Sequence, residues 1–157
     1  MLEPDARRLR EAGDWKAALS AYETLTQLEP DDPTHFHNLA LCALASNQIE
    51  EAILAAQTAL SMAEGLWQSA LILYKAFSLK GEGEKAQPQL LETLSHCPDQ
   101  TALHLALADL ALNQLADGPT GLEWSIKANQ ILQKNPDAYS REAHQEGRLG
   151  LIIQSLY

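Results

Sequence analysis

The chain repeats itself every 34 residues, and this period restricts the fold more than any other property of the sequence. Three turn-like stretches, Gly13-Asp14-Trp15, Asn47-Gln48-Ile49 and Gly81-Glu82-Gly83, stand 34 residues apart. The same step carries Ala18 to Ala52 to Ala86, Tyr22 to Ala56 to Leu90, and Pro30 to Glu64 to Pro98. A regular period of this length belongs to stacked units, each of which buries its apolar face on its neighbours.

Each unit reads as two helices. Phe36-x-x-Leu39-Ala40-x-x-Ala43, Ala70-x-x-Leu73-Tyr74-x-x-Phe77 and His104-x-x-Leu107-Ala108-x-x-Ala111 put apolar or small side chains at i, i+3, i+4 and i+7, one face of a helix. Ala and Leu dominate and β-branched residues are scarce, which favours helix over strand. The second helix of a unit follows the Gly or Asn turn and stops near a proline, which cannot continue the hydrogen-bond ladder. Asp31-Asp32-Pro33-Thr34 supplies capping side chains and a first-turn proline for the next helix. Gly81-x-Gly83-x-x-Ala86 also satisfies a loose dinucleotide-binding fingerprint. That chemistry needs a strand before the glycines, and "LILYKAFSLK" has helical periodicity instead. Alignment with Gly13 and Asn47 makes Gly81 a turn residue that tolerates left-handed φ.

The period, the stripe on the first helix, the Ala18-x-x-x-Tyr22 of the second and the terminal proline together resemble the tetratricopeptide repeat family. The resemblance covers residues 1–136, in units of about 1–32, 33–66, 67–100 and 101–136. It implies an all-α fold, a right-handed α-solenoid of antiparallel helix hairpins. The chain departs from the pattern at Glu64, where proline is usual, and at Pro88, near the end of the first turn of a second helix. Pro98 to Pro136 is 38 residues, four more than the step before it. The extra residues are expected in a longer connection over 113–121, with Thr120-x-x-Glu123 as a capping box that restarts the helix. Residues 137–157 read as a C-terminal capping or docking helix, with Leu149, Ile152, Ile153 and Leu156 on one face.

The resemblance also implies a non-enzymatic protein-interaction module whose first helices line a concave groove for a peptide or helix of a partner protein. Carried over position by position, the groove residues are His37, Asn38, Leu41 and Leu44, then Gln68, Leu71, Ile72 and Lys75, then Leu105, Asp109 and Leu112. Asn38 matches the asparagine that peptide-binding members turn toward a ligand backbone, but Ile72 and Ala106 stand at the matching positions, so no asparagine ladder exists. Gln68 and Ile72 replace the basic pair of the carboxylate clamp, which removes a free C-terminus as the expected ligand. The lining is partly apolar. Its leucines either form an exposed interaction surface or pack between neighbouring helices. The alternative reading is the N-terminal regulatory or substrate-recruiting segment of a larger enzyme, such as a glycosyltransferase. A third is self-association through the C-terminal helix.

Other classes are disfavoured. The net charge is −10 and no basic stripe follows a helix, which argues against nucleic acid. The apolar runs are too short to span a bilayer. Cys42 and Cys97 form neither a metal-type pair nor a disulfide framework, so a reducing, cytoplasmic setting is the default. His35 and His37 lie two apart and do not share a helix face, and no third and fourth ligands lie at metal spacing. No nucleophile stands beside a base in a recognisable motif. No catalytic residue, metal or cofactor is expected.

Overall fold

A computed structural model describes residues 2–114 and 118–134; the expected C-terminal helix, with Leu149, Ile152, Ile153 and Leu156, lies outside them. Eight α-helices follow in order: α1 (Leu2–Glu11), α2 (Trp15–Leu28), α3 (Pro33–Ala45), α4 (Ile49–Met62), α5 (Trp67–Leu79), α6 (Gln87–His96), α7 (Thr101–Asp109) and α8 (Gly118–Lys134). No strand occurs among the described residues, and none of these helices is long and apolar enough to cross a membrane. The fold is an all-α stack of antiparallel hairpins, in which α1, α3, α5 and α7 are the A helices and α2, α4, α6 and α8 the B helices.

The turn residues explain the period. Gly13, Asn47 and Gly81 have φ of 79°, 61° and 75°, the left-handed region that Gly and Asn enter at least cost. All three turns close by one pattern of backbone bonds. In the third, Gly81 N–H donates to Ser78 O (3.0 Å) and Glu82 N–H to Phe77 O (2.8 Å). In the second, Asn47 N–H donates to Leu44 O and Gln48 N–H to Ala43 O. The glycine pair of "GEG" is therefore a helix stop, repeated at a fixed interval. On the entry side, Asp32 Oδ1 accepts from Thr34 N–H at 2.9 Å, and Pro33 occupies the first turn of α3, where its missing N–H costs nothing.

Pro88 acts on the third hairpin. It cannot donate to the carbonyl four residues back, so the chain runs as a 3₁₀ turn over Gly83–Ala86 and becomes α-helical only from Gln87. Pro88 thus sits in the first turn of α6, which is shortened to 10 residues.

The fourth hairpin departs from the sequence expectation. Within the expected connection over 113–121, residues 113–114 and 118–121 are helical, while 115–117 lie outside the described residues. α7 continues into a π turn, Leu110–Gln114, and α8 runs 17 residues against 14 in α2 and α4. The extra residues are absorbed in helix. Thr120 lies inside α8, which begins at Gly118. Pro119 fits there for the same reason as Pro33.

Packing follows the repeat. Ala18 in α2 and Ala52 in α4 are fully buried, as is Ala86 in the 3₁₀ turn before α6. Gly121 takes that place in α8, and a Cβ added there would lie 2.5 Å from Leu112 Cγ. Each B helix also packs on the A helix that follows, as α2 does on α3 and α4 on α5. The A helices touch one another along the stack, α3 with α5 and α5 with α7, more closely than the B helices do. The A helices thus form one layer of the stack, the A-helix wall.

Candidate functional site

The A-helix wall is stitched by polar side chains, one set per interface. Arg10 of α1 donates from Nη1 to Asn38 Oδ1 of α3 at 2.7 Å. His37 Nδ1 of α3 lies 2.8 Å from Ser69 Oγ of α5. Tyr74 of α5 donates its hydroxyl to Asp109 of α7, whose other carboxylate oxygen accepts from Asn113. Each rung spans two consecutive repeats, so the wall is fixed by directional bonds as well as by apolar burial.

The electrostatics of the first rungs are set by burial. His37 is pushed down from 6.5 to about 4, first by burial and second by the positive charge of Arg10. Its ring is therefore neutral near pH 7. Cys42 is pushed up to about 12 by burial, against a smaller opposing effect of Arg10. Its thiol stays protonated and packs as a small apolar group.

The expected groove residues fall into two groups. Leu44 (1% exposed), Ile72 (2%), Leu41 and Asn38 are buried; these side chains support the wall. His37, Gln68, Leu71 and Lys75 are partly exposed, and Asp109 is exposed. Leu105 and Leu112 stand open at 42% and 50%. Leu71 and Leu105 are one repeat apart and so occupy equivalent places on α5 and α7. Asn38, the candidate for a ligand backbone, has its carbonyl oxygen engaged by Arg10.

His35 and His37 diverge, as their spacing requires. His37 turns to Ser69, while His35 Nε2 turns back across the loop before α3, to Glu29 and Asp32. Contrary to the expectation that no third ligand lies at metal spacing, these two carboxylates stand six and three residues before His35, and that spacing is their signal in the sequence. His104 takes a third course. Its Nε2 donates to Pro98 O at 2.9 Å and its ring lies 5.6 Å from that of Trp124, joining α7 to α8.

Stacked hairpins with a layered A-helix wall define a helical-repeat protein. Residues 9–75 match the model of the tetratricopeptide repeat family. Among solved structures it is similar to a crystal structure of MamA, with a TM-score of 0.79, 17% identity, and coverage of 87% of this chain and 79% of that one. It is also similar to MamA residues 41 to the end from Desulfovibrio magneticus RS-1, with a TM-score of 0.68, 12% identity, and coverage of 96% and 92%. At these identities the likeness is one of fold. A search of curated proteins gave no match.

Proposed function

We propose that the chain is a non-catalytic, cytoplasmic interaction module that holds a peptide or helix of a partner protein against its A-helix wall. The observation that carries this reading is the open apolar pair Leu105 and Leu112 on the wall, beside partly exposed Leu71. Open leucines on a wall already fixed by cross-helix hydrogen bonds offer apolar area without much ordering on binding. Gln68, Lys75 and Asp109 flank them as polar and charged contacts that orient a ligand. Leu41, Leu44, Ile72 and Asn38 keep a supporting role beneath. Docking or self-association through residues 137–157 is a separate arm of the same proposal.

The test is comparative capture. The wild type and Leu105→Asp are used as baits, and retained proteins are compared by mass spectrometry. Leu105→Asp loses the wild-type partner while its helical circular dichroism is unchanged. Retention of the same partner by the variant would exclude the A-helix wall as the binding face.

A further inference from the structure

A second cluster lies away from the wall, in the stretch Glu29-Pro30-Asp31-Asp32-Pro33-Thr34-His35 between α2 and α3. Glu29 Oε2 is 3.2 Å and Asp32 Oδ2 is 3.4 Å from His35 Nε2. The three atoms all lie within 4.8 Å of one another. His35 is only 1% exposed, so its ring forms a fixed inner wall, while both carboxylates are reached from solvent.

The two carboxylates of this cluster share one partner. Among the described residues, neither Glu29 nor Asp32 pairs with a lysine or arginine. Nε2 carries at most one N–H, so two carboxylates converge on a single donor. Asp32 is held in place by its other oxygen, which accepts from Thr34 N–H at 2.9 Å.

We propose that Glu29, Asp32 and His35 bind a divalent transition metal ion, with Zn²⁺ the best match. One imidazole nitrogen and two carboxylate oxygens are donors of the type zinc takes. Tetrahedral bonds of about 2.0–2.1 Å set neighbouring ligand atoms roughly 3.3–3.4 Å apart, close to the two edges centred on His35. The third edge closes by rotation of the exposed Glu29 side chain, and a water completes the fourth position. The ion takes the Nε2 lone pair and places the ring proton on Nδ1. Nδ1 is buried without a hydrogen-bond partner, so the site lacks the outer acceptor that normally strengthens a zinc-bound histidine. Binding is correspondingly weaker than at a site with that outer shell.

Zinc chloride titrated into the full chain by isothermal calorimetry, with side-chain ¹⁵N spectra of the histidines, tests the site. The comparison variants are Glu29→Gln and Asp32→Asn; asparagine keeps the oxygen that caps α3, so the fold is preserved. Expected are one ion per chain, a shift of the His35 Nε2 resonance, and an affinity loss of at least about tenfold in each variant. Undetectable binding overturns the proposal. So does binding that both variants retain, or that shifts other histidines while leaving His35 unmoved.

Discussion

Lowering the pH should weaken the rung between α3 and α5. His37 Nδ1 lies 2.8 Å from Ser69 Oγ, and burial with the nearby Arg10 charge holds the ring's pKa at about 4 instead of 6.5. Between those values the unfolded chain takes up a proton that the native ring refuses. The unfolded state then binds more protons, so this contribution to stability is complete above about pH 6.5 and falls as the pH drops toward about 4. The two pKa values give a loss of about 2 kcal/mol at about pH 5. The ring is partly exposed, and water screening reduces this to about 1–2 kcal/mol. Urea denaturation followed by circular dichroism, at about pH 7.5 and about pH 5, measures it in wild type and His37→Gln. Glutamine retains a polar group toward Ser69 but does not titrate. The carboxylates titrate in both proteins and cancel in the difference, so the wild type should lose about 1–2 kcal/mol more than the variant. Parallel losses in the two proteins would refute the account of His37 as a neutral ring held between helices.

Two further substitutions probe the stack. Gly81→Ala places a Cβ at φ 75° with no atom within 4 Å, so its cost is backbone strain alone, about 1–2 kcal/mol, whereas Gly118→Ala meets open space without left-handed φ and should be near neutral. Equal thermal shifts for the two would contradict the turn assignment. Leu90→Ala, at a fully buried position in α6, should cost about 3 kcal/mol in chemical denaturation, while Leu54→Ala on the open face of α4 should cost little; a small loss at Leu90 would show that α6 collapses onto the space.

The features legible in the sequence were those with a single chemical solution. A left-handed turn admits few residues, so Gly13, Asn47 and Gly81 declared the hairpins and their phase. The buried alanines declared where helices approach closely. Helical propensity was silent on where the extra residues of the fourth hairpin go, because Leu110 to Gln114 can continue a helix as readily as leave it. Pro119 fell within the stretch expected as a connection, although proline is at home in a first turn. Exposure on the wall was equally hidden. Leu44 and Leu105 look alike as letters, and only the distance to the neighbouring helix separates a buried support from an open contact. The Glu29, Asp32 and His35 cluster escaped because the chain folds back across its prolines before entering α3.

The π turn after α7 carries a consequence for how such a chain can change. One residue added to a continuous α-helix rotates everything beyond it by about 100°, which would swing the buried face of the next helix into solvent. Leu110–Gln114 takes up one residue of the excess within a single turn, α8 takes up the rest in its greater length, and Gly121 and Ala128 of α8 are buried. The insertion is read locally and then cancelled, as a frameshift is cancelled by its suppressor. The last hairpin can therefore vary in length and inner surface while the three before it keep their phase.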